Sequence, residues 1–185
     1  SDDDVNAAWD LASHDIYIFN HLLRQPPATV AAVGGHYLQK KLEDIVFMTL
    51  HYPDGVLGHI HVSWLDPKKI RQITVVGEKK MITWDDLGVP GPVMIYDRSV
   101  VKEPKYDSFG EFQLLAREGD VILPRIPSQE PLSAQARAFA AMINTNDPLN
   151  GRGSARQGAE VVDILEAASK SLANEGRQTE IIYGK

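Results

Sequence analysis

An α+β domain, with a mostly antiparallel open sheet and helices covering one face, is what the order of periodicities in this 185-residue sequence predicts. Helical spacing opens the chain, period-two alternation fills its middle, and helical spacing returns near the end. Runs of strands bounded by helices, rather than strict alternation of the two, place the helices on one side of an antiparallel sheet. The strands themselves carry apolar residues on both sides, so the second face is expected to pack against another domain or subunit.

From about Val5 to Leu23 the apolar residues Ala12, Ile16, Phe19 and Leu23 recur at helical spacing. Arg24-Gln25-Pro26-Pro27 ends that helix, because a residue preceding proline disfavours the helical region. Thr29 to Val33 is a short β-branched run closed by Gly34-Gly35. Asp44 to Tyr52, the turn Pro53-Asp54-Gly55 and Val56 to Leu65 read as a hairpin. In its second arm Val56, Ile60, Val62 and Trp64 point to one face and His59, His61 and Ser63 to the other, since strand side chains alternate. In the first arm both parities are largely apolar: Ile45, Phe47 and Thr49 against Val46, Met48 and Leu50. Gln72 to Val76 and Met81 to Trp84, joined by Gly77 to Lys80, continue the extended region, with Val93 to Tyr96 and Val121 to Ile126 after them. Pro131 to Asn144 returns to helical spacing through Leu132, Ala136, Phe139 and Ile143. Ser154 to Asn174 repeats it through Val161, Leu165, Ala168 and Leu172, and Gly176 stops the last helix.

Composition narrows the chemistry. The length fits one domain spanning residues 1–185, and 43% hydrophobic content is enough for a core without staples. A formal charge of -6 argues against nucleic acid, whose binding depends on neutralising phosphates with Lys and Arg. No apolar run is long enough to span a bilayer, and the acidic start lacks the order of a secretion signal, so a cytoplasmic protein is expected. With no cysteine, disulfides, thiolate metal sites and a Cys nucleophile are excluded for this chain.

The first helix holds the most informative residues. Asp10 and His14 stand four apart and share a helical face, which Tyr17 and His21 extend. A carboxylate one turn before an imidazole can accept its ring N–H, fix its tautomer and stabilise its protonated form, as a general base near neutral pH requires. The same spacing also occurs as an ordinary exposed helix contact.

Other candidates carry a plainer explanation beside the functional one. His59 and His61 lie on one strand face, where they belong to a polar interface or, with His14, to a metal-assisted lyase or hydrolase; two imidazoles without a third ligand of recognisable spacing fall short of a zinc site. Lys68, Lys69 and Arg71 form a basic cluster that would steer an acidic or phosphorylated sugar, or a solvated loop. Trp64 is expected in the core, with sugar stacking as the alternative. The start of the last helix at Ser154, after Gly151-Arg152-Gly153, suits either a phosphate or simple capping.

In Trp9 to Tyr17 the sequence resembles the Gfo/Idh/MocA oxidoreductases, whose C-terminal domains open with a helix bearing D-x-x-x-H-D-I-D. Asp10, His14, Asp15 and Ile16 match that pattern, whereas Tyr17 replaces its last Asp. The resemblance continues through Glu43-Asp44, Pro53-Asp54-Gly55, Ser63 to Arg71, Val75-Val76-Gly77, Asp85-Asp86, Glu130-Pro131-Leu132 and Val161 to Leu172. It implies a two-part NAD- or NADP-dependent dehydrogenase acting on a sugar, cyclitol or nucleotide sugar, of which this chain is the substrate-binding and oligomerisation part. In that reading His14 is the proton acceptor, Asp10 its electrostatic partner, and Tyr17, Lys68 and Arg71 are substrate contacts. The family's glycine-rich fingerprint and Glu-Lys-Pro lysine have no counterpart here, because Gly34-Gly35 and Gly151-Arg152-Gly153 lack the spacing or the strand-turn-helix setting. No cofactor-binding or metal-binding residue is therefore expected in this chain, and the chain alone is expected to be inactive. A homo-oligomer formed through the open sheet face is expected, and neither nucleic acid nor membrane is expected as a partner. The competing reading is a non-catalytic oligomerisation or ligand-binding module.

Overall fold

Alternation along Asp44 to Leu65 becomes an antiparallel hairpin of β2 (Ile45–His51) and β3 (Leu57–Ser63), with Ile45 opposite Ser63 and His51 opposite Leu57. The structure, a computed structural model, describes residues 5–38, 40–88, 91–97, 119–127, 129–145 and 153–184. The chain forms two compact units, Ser1–Pro67 with Gln135–Lys185, and Lys68–Ala134.

In the first unit β1 (Thr29–Gly35) pairs antiparallel with β2, and β8 (Thr179–Glu180) pairs with β1 at Thr29 and Val30. The sheet order is β3-β2-β1-β8. Its buried face is supplied by alternate residues: Val30 and Ala32, then Val46, Met48 and Leu50, then Ile60 and Val62. Against it lie α1 (Ser13–Leu23), led by a π-helical turn at Ala8–Ala12, and a long helix, Ala155–Ala173. Ala8, Ala12 and Ile16 enter the core from the first helix, and Ile164, Leu165 and Ala168 from the long one. Beyond the short β8, no strand of the described residues pairs with Ala32 on that side. The buried Ser171 hydroxyl fills the place, accepting from the Ala32 N–H at 2.9 Å and donating to the Arg177 carbonyl at 2.7 Å.

The second unit contains another antiparallel sheet, ordered β4 (Gln72–Val76), β5 (Met81–Asp85), β6 (Val93–Tyr96) and β7 (Val121–Ile122). The α+β class is as the sequence predicts, but among the described residues the single expected sheet is two sheets of four strands each. The last strand is shorter than Val121 to Ile126, because pairing with β6 stops at Ile122. The helix expected from Pro131 forms as α2 (Pro131–Thr145), making Ala155–Ala173 α3. None of the described residues of α2 is buried, so its apolar stripe Leu132, Phe139 and Ile143 does not cover a sheet.

Candidate functional site

The helix carrying Asp10 and His14 is anchored near both ends within the first unit. At its start the Ala7 N–H donates to the Glu43 carbonyl at 2.9 Å, and the Asn6 side-chain amide donates to the Glu43 carboxylate at 2.7 Å. The Trp9 indole donates to Ser169 Oγ of α3 at 3.0 Å, while the Tyr52 hydroxyl donates to Asn20 Oδ1 at 3.0 Å near the other end. Burial pushes the Tyr52 phenol well above its ordinary value. The same cause raises Tyr183, helped by Tyr52 and by the charges of Glu160 and Asp163, and the Tyr183 hydroxyl donates to the Pro27 carbonyl at 2.5 Å. These phenols are framework groups that stay neutral and keep their hydrogen bonds.

On that frame Asp10 and His14 are both exposed, on successive turns. The sequence expects the Asp10 carboxylate to accept from His14. Its hydrogen bond comes instead from Trp64, whose indole Nε1–H donates to Asp10 Oδ2 at 2.8 Å. Two features account for the difference. A π turn takes i→i+5 hydrogen bonds and is wider than an α turn, so Asp10 is rotated from the stripe that an uninterrupted α-helix would share with His14. Trp64 follows directly on β3, against which the π turn packs, and brings a donor to the carboxylate. Trp64 is half-buried against the core, as its parity predicts, but its polar edge is turned to Asp10. The only hint of this in the sequence is that a tryptophan carries a single N–H that seeks an acceptor.

Tyr17 is half-buried; its ring stacks on His21 with centroids 6.1 Å apart, and its hydroxyl accepts the Gly153 N–H at 3.1 Å. Gly151 and Arg152 lie outside the described residues. Capping explains the helix start at Ser154: its hydroxyl accepts from the Gln157 N–H at 3.3 Å and Gln157 Oε1 accepts from the Ser154 N–H at 3.2 Å. Lys68 and Arg71 belong to the second unit, where both are exposed and Arg71 pairs with Asp86 at 3.5 Å. In that unit the Gln72 amide and the Leu87 N–H hold Asp85 below its ordinary range, with Lys68 adding to the effect.

His59 and His61 lie on the exposed face of the first sheet, flanking Phe47 with ring centroids 6.5 and 4.5 Å away. Among the described residues no group of three or more His, Cys, Asp or Glu side chains is placed to hold a metal. Gly34 and Gly35 do not form a phosphate-binding turn. Gly34 and Gly35 are paired strand residues opposite Val46 and Ile45, and a Cβ on Gly34 would come 2.8 Å from the Ile45 carbonyl oxygen. Sheet packing, not a phosphate loop, explains the smallness of these residues. No helix of the described residues is long and apolar enough to cross a membrane.

Residues 2–83 match the GFO/IDH/MocA C-terminal domain. No curated protein matches the chain. Among solved structures, aldose-aldose oxidoreductase from Caulobacter crescentus, complexed with glycerol, is similar with a TM-score of 0.69 and 18% identity over 96% of this chain and 48% of its own. The WlbA dehydrogenase from Bordetella pertussis, in complex with NADH and UDP-GlcNAcA, has a TM-score of 0.61 and 21% identity over 98% of this chain and 46% of its own. For the UDP-N-acetylglucosamine 3-dehydrogenase GnnA from Acidithiobacillus ferrooxidans the values are 0.66 and 18%, over 91% of this chain and 50% of its own. The chain thus spans about half the length of the structures it resembles.

Proposed function

We propose, from the match of residues 2–83 to the GFO/IDH/MocA C-terminal domain, that the chain is the substrate-side half of a dehydrogenase of that family, one that oxidises a hydroxyl of a sugar, cyclitol or nucleotide sugar. The observation that carries this reading is an exposed imidazole, His14, one helical turn from a carboxylate, Asp10, on a helix anchored at both ends. A ring nitrogen of His14 accepts the hydroxyl proton while the carbon gives up hydride, and the Asp10 charge stabilises the imidazolium that forms. NAD or NADP is the acceptor this reading requires, bound by a part of the protein other than this chain, and in the same reading these 185 residues alone transfer no hydride. The solved relatives, with NADH or sugar nucleotides named in their complexes and activities, support the substrate class. Tyr17 remains a substrate contact within the same proposal, and the exposed Lys68 and Arg71 of the second unit remain cations that would steer an acidic or phosphorylated sugar.

The test is reduction of NAD and of NADP by the full-length protein offered UDP-N-acetylglucosamine, glucose and myo-inositol in turn. His14→Ala should lower turnover about a hundredfold or more, the usual worth of a general base. Turnover retained within a few-fold would remove the proton-acceptor role.

The protein also assembles, in this proposal, as a homo-oligomer through the open face of the first sheet. Val33, Phe47 and Leu57 are 52%, 37% and 63% exposed there. No Asp, Glu, Lys or Arg stands among the outward residues of β1, β2 and β3. An exposed sheet face so free of fixed charge suits burial against a second copy.

A further inference from the structure

We propose that Trp64 is a positioning residue for the proton-handling pair, holding Asp10 off His14 so that the imidazole stays free for substrate; this rests on the dehydrogenase reading of His14. Donor and acceptor are both fixed to one corner of the first unit. The Trp64 backbone N–H donates to the Asp44 carbonyl at 2.8 Å, and the Asp44 N–H donates to the Gly35 carbonyl at 2.8 Å. The Asp44 side chain is fully buried, with Oδ2 accepting from the Leu38 N–H at 2.6 Å and from the Tyr37 N–H. On the acceptor side, the helix start is tied to the adjoining Glu43 by the Ala7 and Asn6 bonds, and the Asp10 N–H closes the turn on the Asn6 carbonyl at 3.1 Å. Residues 43 and 44 therefore set the approach of the indole to the carboxylate.

The chemistry of the two side chains gives that approach a consequence. An indole N–H only donates and does not titrate, so it orients a carboxylate without adding charge. Asp10 and His14 stand four apart, a spacing that favours a mutual bond in an α-helix; the π turn loosens that register, and the indole occupies the carboxylate that would otherwise be open to the ring. Such a bond would commit one imidazole nitrogen to Asp10 and swing the ring along the helix. With Oδ2 on the indole, the Asp10 charge stays one turn from His14 while the ring remains unbonded to it. Trp64 thus separates the two functions of the carboxylate, keeping its field and suppressing its grip.

Trp64→Phe keeps an aromatic ring on the core and removes the N–H. In protein labelled with ¹⁵N-histidine, that variant should shift the His14 ring toward the single tautomer with its N–H on Asp10. The shift should vanish when Asp10→Ala is added. A second measurement leaves Trp64 intact: in Asp10→Ala its indole proton should move upfield and exchange with water about fivefold faster, as expected for one lost hydrogen bond. An unchanged His14 ring in Trp64→Phe, the same change in the double variant, or an indole signal indifferent to Asp10→Ala would each overturn the proposal. These spectra do not depend on turnover, so full activity in His14→Ala would refute the dehydrogenase reading while the ring and indole signals still decide whether Trp64 orders the pair.

Discussion

Replacing Gly58 by alanine should destabilise the protein, although on general grounds the change would help. Gly58 is a buried residue of β3 whose φ lies outside the left-handed region, so alanine fits the backbone and should gain about 0.4–1 kcal/mol by restricting the unfolded chain. The added methyl, however, would sit 2.8 Å from Cδ2 and 2.9 Å from Cε2 of Phe19, and 3.5 Å from Cε2 of Tyr52. The Phe19 ring belongs to α1 and packs on the core, so giving way means shifting either the ring or the helix. Overpacking of this kind costs about 1–3 kcal/mol, which at mid-range exceeds the entropic gain and leaves a net loss centred on about 1 kcal/mol. Urea unfolding should show a lower midpoint with an unchanged slope. Trimming the obstacle tests the cause: in a Phe19→Leu background Gly58→Ala should be nearly neutral, a coupling of about 1 kcal/mol or more. A raised midpoint for Gly58→Ala, or the same loss in both backgrounds, would refute the steric argument. The prediction bears on function because the displaced element is the helix that presents His14.

Phe47→Asp should leave the protein monomeric by sedimentation where the parent associates, since an unpaired carboxylate on the charge-free sheet face resists burial; a parent that sediments as a monomer at micromolar concentration would dismiss the interface. Alkaline pH should weaken the fold through Tyr52 and Tyr183. Both phenols have folded values raised above the ordinary 10.0, so above about pH 10 the unfolded chain releases protons that the native chain keeps. Their contribution is complete below pH 10 and declines as pH rises through the folded values. Melting temperatures at about pH 8 to 11 should therefore fall less steeply in the Tyr52→Phe and Tyr183→Phe variants; parallel curves would contradict this.

Much of the helix and hairpin was legible because each rests on short-range geometry. The parity that puts Ile60 and Val62 inside and His59 and His61 outside follows from alternation alone and holds along β3. The same rule says less once the strand ends at Ser63, which is why Trp64 is assigned by parity to the core while its N–H goes to a carboxylate 54 residues earlier. Periodicity along α2 likewise identifies an apolar stripe without saying what covers it, and Leu132, Phe139 and Ile143 are exposed. Pairing a four-strand sheet within residues 68–134, apart from the first, depends on which strand edges meet, and spacing along the chain does not encode that.

By itself the amino-acid order determined the class of fold, the hairpin with its turn at Gly55, the helix bearing Asp10 and His14, and the resemblance carried by those residues. These follow from backbone preferences and side-chain periodicity over a few residues. Only the tertiary structure decided that the first turns of that helix are π-helical and that an indole from the end of β3 occupies the Asp10 carboxylate. It also decided that Ser171 completes the bonding of β1 beyond β8. The last two are bonds between distant segments, made because an N–H near the core must find an acceptor and the fold alone settles which one lies within reach.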